Sequence, residues 1–324
     1  MTFKTPFWSP SQASAILFDW DGVIADTRLD FSGIREKYYG HRRAMLLEDA
    51  HTLGPAREAM MSELEDIEVR GAERATWIVC ARETLEWVNR VRKPWAIVSR
   101  NCKKSILAAA EVLGMKLPAV VRSRDDGDCV KPDPRALIET CGLLSVSPAQ
   151  TLLVGDYIYD VMGARRAGMR SALVRDKIEP GWTEWLECSF SSMREFLENL
   201  ENPSEFIPWE YKETAEKFGN DFLRRAHRIF IPLPQSPRPS LDAWVARAAS
   251  LGAGGFLVKD EIFSPDMWRR NPSLDIAGMG LGLAETIGEF LRERWPFASV
   301  ARSADRTVPF PPQDADGLPE FLSS

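Results

Sequence analysis

Short apolar runs that stop abruptly on polar residues set the rhythm of the first half of the chain. Ala15-Ile16-Leu17-Phe18 ends on Asp19-Trp20-Asp21-Gly22, Trp95-Ala96-Ile97-Val98 on Ser99-Arg100-Asn101, and Thr151-Leu152-Leu153-Val154 on Gly155-Asp156. A later run, Ser171-Ala172-Leu173-Val174, has the same character. Such runs read as strands buried on both faces of a parallel sheet. Between them the apolar spacing is helical, over Cys102–Leu113 and Arg135–Cys141. Residues 28 to about 92 are too many for a plain loop. Arg42–Leu53, Pro55–Glu68 and Ala72–Val91 carry helical spacing of Met, Leu, Ile and Trp, and predict a small helical insertion. Its last part, near Glu83–Val91, is expected to be the crossover helix that returns to the sheet.

After Val174, expected to close the first sheet, Glu179–Trp185 and Ser192–Leu200 predict short helices, and Asn202-Pro203 with Pro208 mark a boundary. A second alternation follows: a strand at Arg228–Pro232, a helix at Leu241–Leu251, a strand at Gly255–Val258 and a helix at Leu283–Arg294. Gly278-Met279-Gly280-Leu281-Gly282 does not satisfy the dinucleotide-binding pattern and reads as a tight turn. The organisation expected is a domain over 1–202 with a helical cap at about 28–85, an α/β accessory domain over 203–302, and a disordered tail over 303–324.

The chemistry lies at the strand ends, where ligands of α/β sheets bind. Period-two geometry sends Asp19 and Asp21 to the same side, and Gly22 lets the chain turn away. Two crowded carboxylates call for a cation or a shared proton, and a hard ion such as Mg²⁺ would bring a phosphate with it. Capping a turn is the plainer reading of the pair. Ser99 reads either as a helix N-cap or as a phosphate-binding hydroxyl backed by N–H groups entering a helix. In Val130-Lys131-Pro132-Asp133-Pro134, the prolines stiffen the support of a lysine that is either solvated or a fixed point charge. Asp156 stands at a strand tip, and Asp160 one turn later faces the same cavity, where the helix dipole alone could also favour it.

Taken together, these motifs resemble the haloacid dehalogenase superfamily. Asp19-Trp20-Asp21-Gly22-Val23, Ser99, Lys131 and Gly155-Asp156-Tyr157-Ile158-Tyr159-Asp160 match its motifs in order, and the resemblance spans roughly Ser14 to Asp176. The nearest branch is that of the phosphoglycolate-phosphatase-like enzymes, with a cap inserted after the first motif. The resemblance implies a doubly wound Rossmann-like α/β core and a Mg²⁺-dependent phosphomonoester hydrolase. It makes Asp19 the nucleophile and Asp21 the general acid and base. Asp19, Asp21 (through its carbonyl), Asp156 and Asp160 would hold Mg²⁺, and Ser99, Asn101 and Lys131 the phosphate. Val23 and Ser99 stand where threonine is commoner. A phosphomutase on the same fold, or a binding protein without turnover, are the rival readings.

Composition narrows the partners. A net charge of −6 offers no broad basic field for nucleic acid. Cys80, Cys102, Cys129, Cys141 and Cys188 are odd in number and dispersed, which suits a reducing cytosol better than disulfides or zinc. No leader or membrane span is read, so the expectation is a soluble cytoplasmic protein acting on a small phosphorylated substrate. The C-terminal region is the candidate surface for homo-oligomer formation. Arg28, Arg35, Tyr38, Tyr39 and His41 are candidate cap contacts whose plainer reading is solvated surface. Neither His41 nor His51 has the neighbours of a metal ligand.

Overall fold

The computed structural model describes residues 7–40, 45–127, 129–259, 261–295, 297–302 and 311–323, with the side chains of 293 and 294 left out. The chain forms two compact units, one over 13–203 and one combining residues 7–12 with 204–323.

The first unit begins with β1 (Ala15–Phe18), β2 (Ala25–Asp26), α1 (Ser32–Tyr39), α2 (Ala56–Ala72), β3 (Thr76–Trp77) and α3 (Ala81–Arg90). It continues with β4 (Trp95–Val98), α4 (Lys103–Val112), β5 (Val121–Arg122), α5 (Arg135–Leu143), β6 (Thr151–Gly155) and α6 (Ile158–Arg166). It closes with β7 (Arg170–Val174), β8 (Cys188–Phe190) and α7 (Met193–Glu201). The sheet order is β5-β4-β1-β6-β7-β8, with every pair parallel. All residues of β1, β6 and β7 are buried, as a sheet covered by helices on both faces requires. From β1 the chain builds outward to β4 and β5, then returns to the other side through β6. The carboxyl ends of β1 and β6 therefore flank the switch point, where a crevice must open.

β2 and β3 pair antiparallel, Ala25 with Trp77 and Asp26 with Thr76, and close the base of the helical insertion. Within it Ile34, Leu46, Ala50, Met60 and Leu64 form a core of their own. The helix expected over Arg42–Leu53 is instead a 3-10 turn at Asp49–Leu53, and residues 41–44, with His41, lie outside the described residues. The helix here is α1, ended by Gly40 in the left-handed region. The single helix expected over Ala72–Val91 is broken by β3, whose Thr76 and Trp77 favour extended backbone. Val174 does not close the sheet, because β8 adds a further strand.

The second unit holds α8 (Lys212–Phe218), α9 (Asn220–Ala226), β9 (Phe230–Pro232), α10 (Leu241–Ser250), β10 (Gly255–Val258), α11 (Pro265–Arg270), α12 (Leu283–Arg294), β11 (Ser299–Arg302) and α13 (Leu318–Ser323). Its three strands, in the order β11-β10-β9, are parallel. Two expectations are corrected here. Residues 7–12 do not belong to the first domain: Trp8 is fully buried and pairs with Phe206 through two backbone hydrogen bonds, 3.0 and 2.7 Å long. Nor is the described part of the tail disordered, since α13 buries Leu318 and Leu322 in the second unit's core, while 303–310 and 324 lie outside the described residues. Two leucines spaced i, i+4 suffice to seat a short helix on a preformed apolar surface. Among the described residues no helix is long and apolar enough to cross a membrane.

Candidate active site

β1 and β6 are neighbours, with Phe18 opposite Val154, so the residues that follow them emerge side by side. The Asp19 N–H donates to the Val154 carbonyl at 2.8 Å, which extends the ladder to the strand tip. Gly22 has φ +81°, and a Cβ there would run into the Asp156 carboxylate. Only glycine permits both that backbone and that approach. A Cβ at Gly155 would likewise collide with the Asp160 carboxyl. The two glycines clear the space in which carboxylates from separate strands converge.

Asp19, Asp156 and Asp160 can each present an oxygen within 4.8 Å of the others. Lys131, 1% exposed, places its Nζ 2.8 Å from Asp19 Oδ1 and 2.6 Å from Asp160 Oδ1. The Trp20 N–H also donates to Asp19 Oδ1, at 2.7 Å, so this oxygen is held twice. The Asp21 side chain turns elsewhere: its Oδ1 accepts the Thr27 N–H at 2.9 Å and the Thr27 hydroxyl. Asp21 therefore lies outside the three-carboxylate cluster, though it lines the same cavity. Ser99 is buried at the tip of β4, its Oγ accepting the Asn101 N–H at 3.1 Å. The N-cap of α4 is Cys102, not Ser99. Asn101 lines the cavity, whereas Ser99 and Lys131 are absent from its wall.

Electrostatics sets this crevice apart. Burial pushes the Asp19 carboxyl up to about 7, with Asp160 adding to the rise and Lys131 opposing it. Asp156 is pushed up to about 8 by burial and by the charges of Asp19, Asp160 and Asp21, against Lys131. Burial also raises Asp21 despite its bonds from Thr27. Burial disfavours the Lys131 ammonium, but Asp160 and Asp19 outweigh it and hold the amine above its ordinary value. Three largely buried carboxylates share one ammonium, an arrangement short of positive charge.

The cavity measures about 570 Å³. One wall carries the strand-tip acids with Tyr157 and Tyr159, and the other carries Phe31, Arg35, Leu46, Leu47 and Leu64 of the helical insertion. Of the candidate cap contacts among the described residues, only Arg35 reaches it: Tyr38 bonds Glu63, Tyr39 bonds the Leu46 carbonyl, and Arg28 pairs with Asp26. Sequence reasoning passed over Thr27, Glu48, Glu68, Arg100 and Arg124. The partners Glu48–Arg100 and Glu68–Arg124 are 52 and 56 residues apart, beyond any local pattern. Thr27, six residues after Asp21, carried only the signal of a hydroxyl close behind the acidic pair.

The sequence model of the haloacid dehalogenase-like hydrolases matches residues 16–174, from within β1 to the end of β7. Over that span the chain belongs to the haloacid dehalogenase-like hydrolase family. N-acetylmuramic acid 6-phosphate phosphatase of Pseudomonas aeruginosa is 28% identical over 196 residues, covering 50% of this chain and 81% of that protein. Phosphoglycolate phosphatase of Pseudomonas fluorescens is 32% identical over 93 residues, 28% of this chain and 34% of that one. The crystal structure of a hydrolase from Pseudomonas syringae shares the fold with a TM-score of 0.51 and 17% identity, covering 60% of this chain and 100% of that one. This haloacid dehalogenase-like hydrolase is a phosphatase of the phosphoglycolate-phosphatase-like branch. Its acids sit on the matched span, and the second unit's strands and helices lie outside it.

Proposed function

We propose that the domain hydrolyses a small phosphate monoester through a phosphoryl group carried on Asp19, with Mg²⁺ as cofactor. The observation that carries this reading is the Asp19–Lys131–Asp160 triad at the switch point, with Asp156 on the neighbouring strand tip. The donor set fits the ion: carboxylate oxygens only, close together, and more negative charge than Lys131 balances. Asp19, Asp156 and Asp160 would hold it, with the carbonyl of Asp21. Bound there, Mg²⁺ supplies charge neutralisation to the phosphoryl oxygens and the crowded carboxylates.

The chain's own groups divide the rest. Lys131 and the Trp20 N–H occupy Asp19 Oδ1, which leaves Oδ2 to attack phosphorus. As the Oδ2–P bond forms, the bond from phosphorus to the leaving oxygen breaks. Thr27 holds Asp21 by Oδ1, so Oδ2 carries the proton that goes to the departing alcohol. The raised Asp21 carboxyl retains that proton more readily than an ordinary carboxyl does. Asp21, then ionised, takes a proton from water while the water oxygen bonds to phosphorus and the P–Oδ2 bond breaks. Phosphate is released and both acids return to their starting states. The Ser99 hydroxyl, whose oxygen already accepts from Asn101, keeps its proton to donate to a phosphoryl oxygen. The cavity volume falls in the small-metabolite range of roughly 300–1,000 Å³.

A panel of phosphate esters, with phosphoglycolate, sugar phosphates, nucleotides and pyrophosphate, tests the reading on the full chain. Free phosphate should appear, vanish with a chelator and return with Mg²⁺. Rates unchanged after exhaustive chelation would remove the metal, and an isomerised ester without free phosphate would make the protein a mutase.

A further inference from the structure

The helical insertion is tied to the segments that follow β4 and β5 by two ion pairs of different character. Glu68 of α2 pairs with Arg124, with side chains 2% and 5% exposed, and its second oxygen accepts the Cys102 N–H at 2.9 Å. This tie is fully buried. The other joins Glu48 to Arg100, the residue between Ser99 and Asn101. Arg100 Nη1 and Nη2 meet the two Glu48 oxygens at 2.6 and 2.9 Å, in the fork-to-fork geometry of a bidentate pair. Both side chains keep about a quarter of their surface in solvent, at 22% and 27%, so this tie is far more exposed than the first.

Arg100 makes two further contacts. Its Nη1 donates to the backbone carbonyl of Lys131, and its guanidinium lies 4.7 Å from the centre of the Tyr159 ring, on the helix turn just before Asp160. One planar group thus touches the insertion, the backbone of the lysine that holds Asp19, and the aromatic wall of the cavity. Both Glu48 oxygens and the Lys131 carbonyl take part at once, which the guanidinium fork permits and a lysine ammonium does not reproduce. We propose that Arg100 is a positioning residue: it couples the seating of the insertion at Glu48 to the placement of Lys131. With Glu48 seated, the fork is held over Tyr159 and keeps the Lys131 backbone in place. When Glu48 leaves, Arg100 gains rotamers, and the lysine's support loosens with it.

The inference rests on the phosphatase reading for its consequence and is testable apart from it. Full-length parent, Glu48→Gln, Arg100→Lys and the double variant would be compared in Mg²⁺ by three measurements. These are amide hydrogen exchange over 45–53, inorganic phosphate affinity by calorimetry, and kcat and KM for p-nitrophenyl phosphate. Arg100→Lys should quicken exchange over 45–53, weaken phosphate binding and lower kcat, the last by about tenfold to a hundredfold as expected for a misplaced catalytic group. Glu48→Gln should move all three in the same direction by less. The double variant should not exceed Arg100→Lys alone, because the two residues act as one contact. Additive effects, or faster exchange with phosphate affinity and kcat at parental values, would overturn the coupling. A parent that binds phosphate but cleaves no ester would sink the phosphatase reading. The Arg100 inference would still be judged by exchange and phosphate affinity.

Discussion

Both units are built on parallel strands with crossover helices, and both leave a cavity of nearly the same size, about 570 Å³ in one and about 580 Å³ in the other. Their aspartates differ in sign. Asp242, at the start of α10, is buried, which opposes its charge. Yet the Ser240 hydroxyl and the backbone N–H groups of Ser273 and Ala243 hold its carboxyl below the ordinary value. Asp156 is pushed up to about 8 by burial, and its charged neighbours, mostly other carboxylates, add to the rise. Asp242 is a fastener whose needs are met within the fold, whereas Asp156 and Asp19 are left with a charge deficit that protons or a bound cation would relieve. Asn271, which lines the second cavity, is likewise spent on structure, its Oδ1 accepting the N–H groups of Leu241 and Asp242. Among the described residues, the first unit alone brings three metal-binding side chains together. Fold class and cavity volume therefore do not separate the two units, and unbalanced charge at the strand tips does.

The largest effect should come from Asp19→Asn. It removes the attacking oxygen's charge, and kcat should fall by at least about 10³-fold while circular dichroism shows the fold intact. Near-parental turnover in pure protein would end the contrast drawn here. Gly22→Ala tests the packing of the tips. The new methyl meets the Asp156 carboxylate in a left-handed backbone, and kcat should drop about tenfold to a hundredfold together with Mg²⁺ affinity. Asp242→Ala should do the reverse. It leaves the Ser273 N–H without its acceptor and the Ala243 N–H with only its 3.4 Å bond to Ser240 Oγ, and should cost about 1–3 kcal/mol of stability, read by denaturant unfolding, while kcat per folded molecule stays within about twofold.

The charge deficit also has a pH signature. Asp19 and Asp156 bind protons more tightly folded than unfolded, so their contribution to the stability of metal-free protein is complete below the ordinary carboxylate range. It is lost as pH rises through about 7 to about 8. A bound dication competes with those protons. The rise in melting temperature on adding Mg²⁺ should therefore grow as pH climbs from about 6 to about 9. A rise that shrinks over that window would show that the carboxylates are not the ligands. The smallest effect expected is that of removing the second unit. A protein of residues 13–203 should fold and cleave p-nitrophenyl phosphate within a few-fold of the full chain. Both cuts matter, since Trp8 is buried against the second unit's Phe206 and would be left exposed by a cut after 203 alone.

What could be read in the sequence follows from distance along the chain. The tips of β1 and β6 declare themselves locally, because a buried run followed at once by aspartate and glycine is conspicuous within a few residues. The meeting of Lys131 with Asp19 and Asp160 needed the family motifs, since nothing around Lys131 separates a solvated lysine from a buried one. Glu48–Arg100 and Glu68–Arg124 are made by packing between distant segments and left no mark in either neighbourhood. β8 and α13 went unread because each is short. Cys188 and Phe190 flank a serine in a three-residue strand, and α13 has six residues, with Leu318, Phe321 and Leu322 interrupted by Pro319 and Glu320. The insertion was legible as helical, but not its boundaries, which Gly40 and the pairing of β2 with β3 decide.

The central claim, that Asp19 carries the phosphoryl group, is tested most directly by trapping. p-Nitrophenolate leaves without a proton, so Asp21→Asn should still transfer phosphate from p-nitrophenyl phosphate but release it slowly. Acid quenching within the first turnovers, proteolysis and mass spectrometry then locate the group. The account predicts one phosphoryl per active site on the Asp19 carboxyl, formed in step with a burst of p-nitrophenol. A burst with no phosphoryl on the protein, or with the phosphoryl on any other residue, would contradict it.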